Sequence, residues 1–153
     1  NMSFHCEDCS AHHFAETVYQ THQVIILPPV EFIKEFPDED VTIHIDRMRL
    51  TQVITNFLGN AKKFTSQGHI KLGYFCDKEK KEIHIFVEDT GAGIPKEELQ
   101  MIFERFYKRN EFVQGVGLGL AISKVIVEKM NGHIDVQSEV NKGSRFTAVL
   151  PYL

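Results

Sequence analysis

The chain of 153 residues has 42% hydrophobic and 25% charged residues and a formal net charge of -4. A chain of this length folds as one domain burying about 70% of its unfolded surface, so residues 1–153 are expected to form a single domain. The acidic balance excludes broad nucleic-acid binding, which needs a basic face. No apolar run approaches the roughly 20 residues of a membrane helix, the start does not read as a signal peptide, and no direct membrane contact is expected.

Three cysteines, an odd number, fit a reducing compartment. Cys6 and Cys9 form C-x-x-C with His12 and His13 behind them. A zinc site there would crowd all its ligands onto one short turn, whereas closed zinc sites draw ligands from separated segments. Residues 10–22 read as a helix capped by Asp8 or Ser10, with Phe14, Val18 and Tyr19 as packing residues. Residues 30–36 and 41–45 read as strands around a turn at Pro37-Asp38-Glu39-Asp40.

Asp46 caps a long helix to about Phe64, with Leu50, Val53, Ile54, Phe57, Leu58 and Ala61 as its buried stripe. At about 100° per residue, Asn56, Asn60 and Lys63 fall within about 60° of one another, off the centre of that stripe. Residues 69–76 and 82–89 read as a hairpin, with Cys76 as core or edge filler. Pro95 suits the first turn of a helix reaching about Phe103. A loop over 107–116 leads to a helix from Gly117 to Met130, stopped by Gly132 in left-handed geometry. Strands 133–139 and 144–150 close a mixed, mostly antiparallel sheet covered by helices on one face, an α+β two-layer sandwich.

Three polar clusters carry the chemistry. Magnesium takes hard oxygen ligands and keeps several waters, so the Asn60 amide oxygen suffices as the protein's share, with Lys63 one turn on for a phosphate oxygen. The alternative is that Asn56 and Asn60 merely solvate a helix, although asparagine is a poor helix former. Asp89 ends an apolar strand before Thr90-Gly91-Ala92-Gly93, where a carboxylate can accept a bond from the amine of adenine. Glycines at 91 and 93 then admit the base; an ordinary aspartate-glycine turn is the competing reading. Gly115, Gly117 and Gly119 at alternate positions feed a helix start, whose exposed amides and dipole make a phosphate site. The spacing is neither the dinucleotide fingerprint nor a Walker loop, and helix capping is the alternative. Phe103, Phe106 and Tyr107 read as an aromatic hinge for the following loop, and no histidine sits in a recognisable triad.

In this order the clusters resemble the ATP-binding catalytic domain of bacterial sensor histidine kinases, in the superfamily with gyrase and heat-shock chaperones. The asparagine box is Arg49 to Thr65, the first glycine box Asp89 to Pro95, the phenylalanine box Ile102 to Tyr107, and the second glycine box Gly115 to Leu120. Gly143-Ser144-Arg145-Phe146 and Leu150-Pro151 fit the closing pattern. The resemblance implies the Bergerat fold, with ATP and Mg2+ held between the Asn60 helix and a lid over about 105–119. It implies Asn60 as magnesium ligand, Lys63 and Lys108 as phosphate contacts acting in catalysis, Asp89 as adenine reader and Phe64 as a pocket wall. It adds Asn56, Gly91, Gly93, Ile94, Tyr107, Arg109, Gly117, Leu118, Gly119 and Leu120 to the nucleotide-binding set.

Gyrase-like and chaperone-like members carry a water-activating glutamate where this chain has Asn56, so the resemblance implies phosphoryl transfer rather than fast hydrolysis. The acceptor would be a histidine on a separate dimerisation domain, and a response regulator would follow through the parent protein. The family's acceptor pattern H-E-[LI]-R-[ST]-P is absent, so the chain reads as a cytoplasmic fragment of a larger kinase anchored in the bacterial inner membrane. Val116 stands where a hydroxyl residue is common, Lys62 replaces a usually apolar residue, and the lid is short. An anti-sigma-type serine kinase and a degenerate nucleotide-binding scaffold are the competing readings.

Overall fold

The computed structural model describes residues 3–104 and 116–153, with the side chains of 116–118 outside the description. In chain order the elements are β1 (Glu7–Ser10), α1 (Ala11–Gln23), β2 (Val30–Glu35), β3 (Thr42–Ile45), α2 (Arg47–Phe64), β4 (Gly68–Asp77) and β5 (Glu82–Asp89). They continue with a 3-10 turn (Lys96–Glu98), α3 (Val116–Lys129), β6 (His133–Glu139) and β7 (Gly143–Pro151). The main sheet has the order β2-β4-β5-β7-β6, and β1 and β3 form a separate antiparallel pair. Among the described residues of the main sheet, β2 and β4 run parallel and the other pairs antiparallel.

The helices form where the sequence supplies both a cap and an apolar stripe. The Ser10 hydroxyl accepts the His13 N–H at 3.0 Å and starts α1. Asp46 starts α2 by accepting the Arg49 N–H at 3.1 Å, and its other oxygen takes the His5 N–H at 2.8 Å. All six residues of the expected α2 stripe are buried. They pack against the inward residues of the central strands, among them Ile70 and Leu72 of β4 and Ile83, Ile85 and Val87 of β5. The two-layer α+β sandwich with a mostly antiparallel sheet is the fold expected from sequence.

The two strands on either side of the Pro37–Asp40 turn take different partners: β2 joins β4 in parallel, and β3 pairs with β1. Two local expectations are corrected. The helix expected from Pro95 is only a 3-10 turn. Successive bonds at the shorter spacing follow it, from Met101 N to the Glu98 carbonyl at 2.9 Å and from Glu104 N to the Met101 carbonyl at 3.0 Å. Burial of Ile102 and packing of the Phe103 ring 6.5 Å from Phe146 draw the chain along the core there and override helix propensity.

At the end of α3, Asn131 takes the left-handed conformation (φ 66°) in place of Gly132. Glycine is required at 132 for space, because a Cβ there would collide with the Val149 carbonyl oxygen.

Candidate nucleotide site

Asp89 lies at the end of β5, opposite Ile70 of β4 and Ser144 of β7. Its side chain is buried, and one carboxylate oxygen accepts the Gly91 N–H at 2.8 Å. Burial pushes the carboxyl above its ordinary range; the amides of Gly91 and Ser144 and the Thr65 hydroxyl oppose that shift by favouring the charge. The Thr65 hydroxyl oxygen is sealed from solvent and lies beside that carboxylate. A buried acid and a buried hydroxyl therefore stand together where β5 ends. A ligand N–H donor can use the acceptor capacity that remains on the carboxylate.

The turn after Asp89 is held from two sides. The Ala92 N–H donates to the Phe64 carbonyl at 3.2 Å, fixing the turn to the last residue of α2. The Asn141 N–H donates to the Ala92 carbonyl at 2.7 Å, fixing it to the β6–β7 hairpin. A Cβ on Gly91 would strike the Phe64 carbonyl oxygen, and one on Gly93, where φ is +74°, would strike that of Glu139. Both glycines are thus required by approach of protein backbone, a reason distinct from the room for a base expected from sequence. Gly143, with φ of +127°, lets its strand press against the Asp89 carbonyl in the same way.

The end of α2 carries the second group. Asn60 is half-buried and Lys63 exposed on the final turns, and Phe64 packs partly against the core. Lys62 and Lys63 also lie in the last helical turn, where cations complement the helix dipole. The contact between Phe64 and the Gly91–Ala92 turn brings this end of the helix to the segment that holds Asp89.

Asn56 is engaged differently: its amide donates to the Gly119 carbonyl at 3.1 Å and to Ser123 Oγ at 3.1 Å, joining α2 to α3. Ile94 and Leu120 sit in the hydrophobic core, where they support the region by packing.

Tyr107, Lys108 and Arg109, together with Phe106 and Gly115 of the expected lid, lie outside the described residues. Of Val116, Gly117 and Leu118, only the helical backbone is described. The one described group of metal-ligand type, Asp77, Glu82 and His84, lies at the opposite end of β5 from Asp89. Cys6, Cys9, His12 and His13 form no such group among the described residues; Cys6 is exposed and Cys9 buried. No described helix is long and apolar enough to cross a membrane.

Sequence reasoning missed Ser138 of β6, whose hydroxyl accepts the Ile94 N–H at 2.7 Å and donates to the Gly143 carbonyl at 3.1 Å. It also missed Thr65, whose hydroxyl is buried beside Asp89. A serine in a short alternating strand has no local pattern that marks such a bridge.

The histidine kinase-, DNA gyrase B- and HSP90-like ATPase family profile matches residues 45–153, from the end of β3 through both groups to the last strand. The chain belongs to that family. It is 39% identical over 128 residues to the sensor histidine kinase WalK of Bacillus subtilis, a match covering 80% of this chain and 21% of WalK. It is 44% identical over 110 residues to the sensor protein SrrB of Staphylococcus aureus, covering 69% of this chain and 19% of SrrB. The chain thus spans about a fifth of the length of these relatives.

Among solved structures, full-length ShkA in complex with AMPPNP matches with a TM-score of 0.88 and 27% identity, over 99% of this chain and 32% of that one. The catalytic domain of histidine kinase ThkA matches with a TM-score of 0.84 and 28% identity, over 97% of this chain and 96% of that one. The fold is that of a histidine kinase ATPase domain.

Proposed function

We propose that this ATPase-family chain is the catalytic domain of a larger sensor histidine kinase, binding Mg-ATP and donating its γ-phosphoryl group to a histidine on a separate dimerisation domain. The observation that carries the reading is the buried Asp89 carboxylate, held beside the buried Thr65 hydroxyl and tied through the Gly91 turn to the end of the Asn60 helix. A buried carboxylate is costly unless its acceptor capacity is used, and an exocyclic amine of adenine uses it.

In this reading Asn60 would supply an oxygen to magnesium, Lys63 and Lys108 would engage phosphate, and Phe64 would flank the base. Tyr107, Arg109 and the backbone of Gly117–Gly119 would add further nucleotide contacts. Magnesium suits the donor chemistry because a single amide oxygen plus phosphates and water satisfies its octahedral preference. When bound, Mg-ATP supplies the electrophilic phosphorus; the chain's own contribution is positioning and electrostatic stabilisation.

The amide at position 56 supports transfer over hydrolysis, since it cannot take a proton from water and is already bonded to Gly119 and Ser123. The response regulator and the membrane anchoring of the parent belong to the same proposal.

Mixing the domain with a matched histidine-bearing dimerisation domain and labelled ATP tests it. Acid-labile, alkali-stable phosphate on the partner is expected. Label that is acid-stable, as on serine, or nucleotide binding without transfer to any matched acceptor, contradicts it.

A further inference from the structure

The Asp89 carboxylate is flanked by amides from two separate segments, Gly91 of the glycine turn and Ser144 at the start of β7. One side chain on the neighbouring strand β6 bonds to both segments. Ser138 Oγ accepts from Ile94 N at 2.7 Å, at the end of the glycine turn, donates to the Gly143 carbonyl at 3.1 Å, and lies 2.8 Å from Ser144 Oγ. A hydroxyl has one proton and two lone pairs. With its proton on Gly143 and one lone pair on Ile94, Ser138 takes the Ser144 hydroxyl as donor, and its capacity is full. This arrangement also commits the Ser144 proton, leaving that oxygen only as an acceptor.

We propose that Ser138 is a positioning residue that locks the Gly91 and Ser144 amides in register around Asp89 and thereby sets adenine selectivity. The inference rests on the nucleotide reading above. Its physical basis is the geometric demand of base recognition: a carboxylate must be fixed in direction to prefer an exocyclic amine over the carbonyl guanine presents there. Alanine at 138 leaves the Ile94 N–H and the Ser144 hydroxyl without their partner and frees the two segments to shift independently. Threonine keeps the hydroxyl and suits a strand.

Calorimetric titration of ADP and GDP into the wild-type chain, Ser138→Ala and Ser138→Thr, each with a pH series and a thermal melt, separates positioning from mere stability. Expected is a roughly tenfold loss of ADP affinity in Ser138→Ala, the scale of one hydrogen bond. The ADP-to-GDP ratio should narrow, the pH midpoint of ADP binding should move, and Ser138→Thr should restore all three. If the alanine variant does not fold, Ser138→Cys, with its weak S–H donor, makes the same comparison. A lower melting temperature with unchanged ADP-to-GDP ratio and pH midpoint overturns the positioning role while leaving the nucleotide reading intact. Absence of ADP binding by the wild-type chain overturns the nucleotide reading and the positioning role with it.

Discussion

The Asn56 amide nitrogen lies 3.1 Å from the Gly119 carbonyl oxygen, and the same nitrogen lies 3.1 Å from Ser123 Oγ, so one side chain joins the middle of α2 to the start of α3. Ser123 is fully buried, which makes its hydroxyl dependent on internal partners. Asn56→Asp preserves shape but replaces the donating nitrogen with an oxygen facing a carbonyl. We expect a loss of about 1–3 kcal/mol in urea unfolding, the cost of unsatisfied buried groups.

If Asp89 reads the base as proposed, pH acts in opposite directions on folding and binding. Its folded pKa is raised, first by burial, so the native state takes up a proton as pH falls through that value while the unfolded chain remains ionised down to its ordinary 3.8. Acidification across that window relieves the buried charge and raises this residue's contribution to stability. In the same window the proposed reading predicts that adenine affinity falls, because the protonated acid loses acceptor capacity. Asp89→Asn should flatten this part of both profiles, keep the fold, and weaken ADP roughly ten- to hundredfold, the range for a hydrogen bond to a charged group. Paired pH series of unfolding and of ADP binding check it.

Gly93→Ala meets a positive φ and the Glu139 carbonyl together. A destabilisation of about 2–4 kcal/mol is expected, combining backbone strain with displacement of the β6–β7 hairpin. Chemical denaturation of the variant measures it. A neutral result would mean that the turn can withdraw from Glu139.

Arg145 pairs with Glu88, Nη2 to Oε1 at 2.7 Å, and lies 4.0 Å above the Phe86 ring on the sheet face away from the helices. Burial alone would raise the Glu88 carboxyl, but Arg145, with His69 and Lys71, holds it below its ordinary 4.5. The pair's contribution is therefore present above pH 4.5 and lost as pH falls through the folded value. Arg145→Ala should cost about 1–2 kcal/mol at neutral pH, from the ion pair and the cover over Phe86, and should flatten the acid limb of the stability profile.

The parts of this fold legible in the sequence are those with local signals. Asp46 and the Leu50–Ala61 stripe specified α2 because a cap and a helical period act within a few residues. The β4–β5 hairpin announced itself through alternation around a charged turn. Strand β1 did not: Glu7-Asp8-Cys9-Ser10 has no apolar alternation, and its pairing with β3 comes from chain contacts far apart in sequence. The parallel partnership of β2 with β4 is likewise tertiary.

At the site, Asp89 could be singled out as an acid between a strand and glycines. The reasons for those glycines could not be read, because Phe64 and Glu139 approach them only in the folded chain. Asn56 was legible as unusual within a helix, yet its partners on α3 were not.

The central claim is that Asp89 reads an adenine base beside a magnesium-bound triphosphate. Calorimetric titration of ATP and GTP into the chain, with and without magnesium, tests it most directly. The account predicts ATP binding strengthened by magnesium, with GTP at least tenfold weaker, roughly one hydrogen bond's worth of discrimination. Equal affinity for the two nucleotides would contradict it.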